Sequence, residues 1–211
     1  MITATNIKNF CWAVIVGGIT IMVTLQTGLY AGPEATSSEI TVMAVFSPQK
    51  ILFNDMLYFA GLLYLNGKDF QNPLLRVRLG VSKRFIMRLV RQGITLIIVY
   101  SAFLTLTLEL GLRLQNMSGE YDLHIWIHIG LLAWLWYNIY LISYLISKNH
   151  IIGTMILIST QLGYLVSGMM MQFVGGVNLF NVIFDWKLVL AVNIGLGLIV
   201  LGITERKEWI K

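Results

Sequence analysis

The sequence predicts an all-α, polytopic membrane protein with six transmembrane helices and with both termini in the cytoplasm. Three observations support this: an apolar composition, six long apolar runs and a one-sided distribution of Lys and Arg. Hydrophobic residues make up 57% of the 211-residue chain and charged residues only 12%, and the mean hydropathy is +0.75. Soluble domains carry about twice that charged fraction. The excess apolar surface could not be buried in one soluble core, which indicates a protein embedded in lipid.

The six apolar runs are each long enough, or nearly so, to cross a bilayer, which takes about 20 helical residues. They are continuously apolar rather than alternating, which favours helices over the strands of a barrel. The predicted spans are Phe10 to Tyr30, Gln49 to Asn66, Gly93 to Leu114, Ile125 to Ser147, Ile151 to Val174 and Leu188 to Thr204. A single transmembrane domain therefore covers residues 1–211.

The orientation follows from Lys and Arg, which are enriched on the cytoplasmic side of membrane proteins. With the N-terminus inside, 12 of the 15 cations lie on the inner side, and the outer side keeps only Lys50, Arg113 and Lys187. The first outer loop, Ala31 to Ser47, is expected along the outer interface. Only Lys148 to His150 join the fourth and fifth spans, which predicts a tight inner hairpin.

The segment Gly67 to Gln92 is the one sizeable inner loop, and it contains seven of the inner cations against one acid, Asp69. Within it, Gly80 is a helix stop and Ser82 can cap a new helix. The sequence therefore predicts a helix from Lys83 to Gln92 that continues into the third span.

This predicted helix is amphipathic. Arg84, Arg88 and Arg91 share one face through their i, i+4, i+7 spacing, and the opposite face is apolar. The apolar residues are Phe85, Ile86, Leu89 and Val90. Two interpretations stay open: a basic helix that contacts anionic lipid at the inner surface, and a docking element that passes the motion of a cytoplasmic partner to the span.

From Asn72 to Phe85 the chain reads Asn-Pro-Leu-Leu-Arg-Val-Arg-Leu-Gly-Val-Ser-Lys-Arg-Phe. This run, together with six predicted spans, both ends inside and a basic helix after the second span, makes the chain resemble a known family. The family is the permease subunits of exporter-type ABC transporters of the ABC-two class. Small members of that class export peptides or protect cells from bacteriocins and lantibiotics. The outer segment Gly175 to Trp186 is shorter than the re-entrant hairpin of larger members.

The resemblance implies that the inner loop couples the chain to a separate ATPase. The implied coupling residues are Arg76, Arg78, Ser82, Lys83, Arg84, Phe85, Arg88, Leu89 and Arg91. Two ATPase copies, which would bind ATP and Mg, and a second permease subunit, identical or related, are the implied partners. The chain has no Gly-rich phosphate loop, so it is expected to be no enzyme and to bind no cofactor itself. The distribution of its net charge of +5 fits membrane topology, so lipid is an expected partner and nucleic acid is not.

The implied cargo is a hydrophobic or amphipathic peptide, a lipid-like molecule or a drug, and the implied location is a bacterial plasma membrane. Two other classes stay open: the substrate-binding membrane subunit of a vitamin importer, and a membrane scaffold. An importer subunit needs a polar ligand cavity, for which the sequence offers few buried polar groups. An intramembrane enzyme lacks an adequate catalytic set in this sequence.

Ionisable residues inside a membrane are costly and often functional. Asp55, about two turns into the second span and near its outer side, could pair with Lys187 or Arg113 or line an outer cavity. Glu109 and Arg113 have the i, i+4 spacing of a salt bridge at the interface, which is the favoured interpretation of that pair.

Two further patterns are weaker. His124 and His128 are one turn apart but have no third metal ligand fixed by sequence, so interfacial histidines are favoured and no metal site is predicted. Glycines in the first and sixth spans are expected to permit close helix packing. They are Gly17, Gly18, Gly195 and Gly197.

Overall fold

A computed structural model describes residues 4–31, 36, 39–40, 44, 51–67, 83–117, 123–175 and 186–208. All regular secondary structure in these ranges is helical, as the sequence predicts. The helices are α1, Ala4–Ala31; α2, made of a π-helical segment, Ile51–Phe59, and an α-helical segment, Ala60–Gly67; α3, Lys83–Arg113; α4, Leu123–Ser147; α5, His150–Gly175; and α6, Trp186–Glu208.

Five helices are long and apolar enough to cross a membrane. The candidate spans are Phe10–Tyr30, Leu89–Arg113, Ile127–Ser147, His150–Ser167 and Trp186–Ile203. The surface agrees with a lipid solvent, because Leu29 and Met22 are 85% and 73% exposed whereas Asn54 and Asn193 are buried. An apolar exterior around a partly polar interior is the arrangement expected in a bilayer. The chain is therefore a multi-pass membrane protein.

The second predicted span, Gln49 to Asn66, is helical but departs from a regular α-helix. Its first part, Ile51–Phe59, is π-helical, with the wider i→i+5 hydrogen-bond pattern. The α-helical remainder, Ala60–Gly67, has eight residues, which is too short to cross a bilayer alone. Residues 51–66 of this predicted span are helical, as the sequence predicts. They are not among the five helices of the described ranges that qualify as spans by length and composition.

Helix α4 is the centre of the bundle. Its candidate span is 67% buried, against 17 to 33% for the other four. It packs against α3, α5 and α6, while α1 packs along α3 and against α2. Aromatic rings fill much of the core, including Phe59, Tyr100 and Tyr140.

Two glycines allow α1 and α3 to approach closely. A Cβ on Gly17 would lie 3.3 Å from Phe103 and Thr107, and one on Gly111 would lie 2.7 Å from Thr24. The order of these contacts shows that α1 and α3 run in the same direction. Close packing is confirmed for Gly17. A Cβ on Gly18, Gly195 or Gly197 would meet nothing within 4 Å, so these three glycines make no close helix contact within the described part of this chain.

The predicted hairpin between the fourth and fifth spans is confirmed. Helix α4 ends at Ser147 and α5 begins at His150. Lys148 takes the left-handed conformation, with φ of 56°, that commonly ends a helix. Asn149 caps α5, because its Oδ1 accepts a hydrogen bond from the Ile151 amide at 2.9 Å.

The segment between α1 and α2 contains a capping box. The Thr36 amide donates to Glu39 Oε2 at 2.9 Å, and the Glu39 amide donates to Thr36 Oγ1 at 3.3 Å. Glu39, Ile40 and Ala44 are helical. The loop is expected along the outer interface, but Ile40 and Ala44 are buried in the bundle.

Candidate functional site

The predicted basic segment, Gly67 to Gln92, lies in the described part of the chain only from Lys83, where α3 begins. Arg76, Arg78 and Ser82 lie outside the described residues. The backbone of Lys83, Arg84, Phe85 and Arg88 is helical, and their side chains lie outside the described part. Helix α3 is continuous from Lys83 to Arg113, 31 residues, so the predicted continuation of the basic helix into the third span is confirmed. At 1.5 Å per residue it is about 46 Å long, well over the roughly 30 Å hydrocarbon core.

Two of the predicted coupling residues, Leu89 and Arg91, have described side chains, and these side chains differ in exposure. Arg91 is exposed. Leu89 is 1% exposed and belongs to the hydrophobic core of this chain. Leu89 therefore packs α3 against its own bundle. Docking of the basic segment on a partner stays a prediction.

Tyr137 of α4 connects α4 to this part of α3. Its hydroxyl donates a hydrogen bond to the Leu89 carbonyl at 2.6 Å, and both residues are buried. Its ring lies so close to Gly93 that a Cβ there would overlap it. The N-terminal half of α3 is thus held against the central helix by both a hydrogen bond and packing.

The predicted salt bridge between Glu109 and Arg113 is confirmed. Arg113 Nη2 and Nε lie 2.5 Å and 2.9 Å from Glu109 Oε1. The Arg113 side chain is 71% exposed and that of Glu109 22%. Exposed i, i+4 pairs stabilise a helix only slightly, so this pair adds little to the stability of the end of α3.

Asp55 lies deeper in the bundle than the sequence predicts. It is 1% exposed, and its carboxylate accepts a hydrogen bond from the Tyr100 hydroxyl. Tyr100 is near the middle of the candidate span Leu89–Arg113. Arg113 is about 20 Å further along α3, so the contact with Tyr100 places Asp55 far from Arg113 rather than beside it.

The π-helical segment of α2 supplies polar contacts to three neighbouring helices. A π-helix places its carbonyls out of α-helical register, and side chains of other helices bond to two of them. Gln161 Nε2 of α5 donates to the Asp55 carbonyl at 3.2 Å, and Trp12 Nε1 of α1 donates to the Leu57 carbonyl at 3.0 Å. Beside them, Thr20 Oγ1 donates to Asn54 Oδ1 at 2.6 Å.

A second buried polar contact joins α4 to α6. Asn138 Nδ2 donates to Asn193 Oδ1 at 3.0 Å, and Asn193 Nδ2 donates to the Leu131 carbonyl at 2.9 Å. Both asparagines are buried. Asn138 directly follows Tyr137, so adjacent residues of α4 bond to α3 on one side and to α6 on the other.

Of the two histidines of the fourth span, only His128 has its side chain in the described part of the structure. His128 is buried, and the backbone of His124 is helical. Among the described residues, no group of three or more His, Cys, Asp and Glu side chains stands close enough to hold a metal ion.

Sequence reasoning missed Tyr137, Gln161 and the asparagine pair. Their partners are 48 to 106 positions away in the chain, and one sequence carries no record of such contacts. A usable signal did exist: a polar side chain in the middle of an apolar span costs free energy unless it finds a partner. Asn138, Gln161 and Asn193 all meet that description.

Comparison with protein-family models, with curated proteins and with solved structures gave no match for this chain.

Proposed function

We propose that this chain is the membrane subunit of an ATP-driven exporter whose ATPase is a separate protein. The observation that supports this most directly is α3, one uninterrupted helix of 31 residues. It begins in the basic inner segment, continues through a candidate span and is fastened to the central helix α4. A rigid helix of this kind passes on the displacement of a cytoplasmic partner, which a flexible linker would absorb.

The proposed topology has six spans with both termini in the cytoplasm. Helices α1 and α3 run in the same direction, so the chain between them returns across the membrane, and residues 51–67 are the described helix available for that crossing. The 12-to-3 division of the cations orients the bundle. A bacterial plasma membrane is the proposed location.

In the proposed transporter, ATP binding closes two ATPase subunits against the basic segments of two permease subunits. These would be two copies of this chain, or one copy and a related subunit. The motion reshapes a path for a hydrophobic or amphipathic peptide, a lipid-like molecule or a drug, and the ATPase supplies the ATP and Mg site.

The buried polar groups favour this reading over the ligand-binding subunit of a vitamin importer. Such a subunit requires polar groups that face a ligand cavity. Here Asp55 accepts from Tyr100, and Asn138 pairs with Asn193. These side chains bond to each other across helices, which is a packing role.

The test is purification of the tagged chain alone and together with its ATPase, followed by reconstitution in liposomes. We expect no ATP hydrolysis from the chain alone, and Mg-dependent hydrolysis with ATP-driven movement of a fluorescent amphipathic peptide or phospholipid from the assembly. Hydrolysis by the chain alone, free of contaminant, would contradict the proposal. Labelling of either terminus from outside sealed cells would contradict the topology.

A further inference from the structure

One turn of α3 bears both contacts with Tyr137. In an α-helix the Leu89 carbonyl closes a turn with the amide four positions on, which is that of Gly93. The Tyr137 hydroxyl bonds to this carbonyl at 2.6 Å, and the Tyr137 ring covers Gly93. Polar and packing contacts from a single side chain therefore hold the same turn.

This arrangement depends on the residue types at both positions. Any side chain larger than hydrogen at 93 would overlap the Tyr137 ring, so only glycine admits the ring there. Phenylalanine at 137 would fill the same space but would leave the Leu89 carbonyl without its tyrosine donor. The hydrogen bond can thus be removed without changing the packing.

The turn that Tyr137 holds lies at the boundary between the basic start of α3 and its candidate span. It lies where the candidate span begins, at Leu89, and it includes the exposed Arg91. It is therefore the first part of the basic helix that the described structure fixes to the bundle. On α4 the next residue, Asn138, bonds to Asn193 of α6.

We propose that Tyr137 is a positioning residue that makes α3 and α4 move as one body when a cytoplasmic partner displaces the basic helix. The inference rests on the proposed function for the identity of that partner, and on the Tyr137 contacts alone for the rigid connection. The asparagine pair extends the connection to α6. Displacement at the inner surface would then reach three helices of the bundle together.

The rigid connection is tested without any partner, by measuring a distance between spin labels in lipid nanodiscs. The labels are placed on α3 and α4 by Val90→Cys and Ile146→Cys, at positions 42% and 66% exposed, with the exposed native Cys11 changed to Ser. We expect a narrow distance distribution, which Tyr137→Phe broadens. The population of separated helices should rise about threefold to tenfold, the shift expected from one hydrogen bond between membrane helices.

Tyr140→Phe is the matched control. It removes the same group from the same helix one turn later, and the Tyr140 hydroxyl has no hydrogen-bond partner among the described residues. Its distribution should equal that of the parent. Gly93→Ala should broaden the distribution as Tyr137→Phe does. An unchanged distribution in Tyr137→Phe, or equal broadening in Tyr140→Phe, would overturn the inference.

The coupling role is tested in the assembly with the ATPase, trapped with ATP and vanadate. In the parent the label-to-label distance should stay constant on trapping, because both helices move together, and in Tyr137→Phe it should change. A constant distance in Tyr137→Phe would refute the coupling role. Failure of any ATPase to assemble on the parent would refute the proposed function instead, and the nanodisc measurement would still decide whether Tyr137 joins the helices.

Discussion

The Tyr100 hydroxyl donates a hydrogen bond to the Asp55 carboxylate in the interior of the bundle. Because Asp55 is buried in a π-helical segment, this contact ties an irregular part of α2 to the regular helix α3. Tyr100→Phe keeps the ring and removes the donor. We expect it to lower the free energy of unfolding by about 1 to 2 kcal/mol, measured by unfolding in mixed micelles.

Tyr140→Phe is the control for this measurement as well, since its buried hydroxyl has no hydrogen-bond partner among the described residues. Loss of a group that makes no hydrogen bond should cost nothing or stabilise slightly. Equal losses from the two substitutions would show that the Tyr100 hydroxyl contributes no specific stability.

The glycines of the bundle should separate into two classes on substitution by alanine. Gly111→Ala places a Cβ 2.7 Å from Thr24, so it should force α1 and α3 apart at a cost of about 1 to 3 kcal/mol. Gly195→Ala meets nothing within 4 Å and should be neutral or stabilise by up to about 1 kcal/mol through higher helix propensity. Thermal unfolding of both variants checks this, and equal effects would contradict the α1–α3 contact.

The sequence predicted most helices because continuous apolar runs have few alternatives in lipid. It also predicted the Glu109–Arg113 pair, since an i, i+4 contact depends only on helix geometry. It did not distinguish Gly17, which faces α3, from Gly18, which faces open space. Adjacent residues of a helix point about 100° apart, and only the position of the neighbouring helix decides which of them is covered.

The surroundings of Asp55 and Leu89 could not be predicted from the sequence for a related reason. A single sequence shows position along a span, whereas the partner of Asp55 is Tyr100 of another helix, and Leu89 packs in a core built from several helices. The capping box of Thr36 and Glu39, by contrast, is a local pattern of Thr and Glu three residues apart and could have been found from the sequence.

The asparagine pair between α4 and α6 should show strong energetic coupling. Asn193→Leu leaves Asn138 and the Leu131 carbonyl without their partner, so we expect a loss of about 1 to 2 kcal/mol, and Asn138→Leu should cost a similar amount. The double variant should cost less than the sum of the two, because the second change removes a group already left unpaired. Strictly additive losses would contradict a direct contact.

The capping box between α1 and α2 should respond to acid. Hydrogen bonds from the backbone and then the side chain of Thr36 lower the pKa of the Glu39 carboxyl below its ordinary value of 4.5. The stabilisation of this helix start is therefore present above pH 4.5 and is lost as the pH falls through the lowered pKa. Carbon-13 NMR of the Glu39 carboxyl should give a midpoint below 4.5.

Thr36→Ala removes the hydroxyl but keeps the amide that donates to Glu39 Oε2. The midpoint should therefore return only part of the way to the ordinary value. A midpoint at or above 4.5 in the parent would contradict the capping box.

Docking of the basic start of α3 on an ATPase is tested by the assembly and ATP turnover of three variants. Phe85→Asp and the double change Arg84→Ala/Arg88→Ala alter the apolar and the basic face of the proposed docking helix. Lys148→Asn, the control, removes an exposed cation from the α4–α5 hairpin, and asparagine tolerates its left-handed conformation.

We predict that the first two variants, at normal expression, lose ATPase association or uncouple hydrolysis from transport, while Lys148→Asn behaves as the parent. Normal assembly and coupled turnover in all three would contradict the claim and leave the helix as a lipid-facing topology signal.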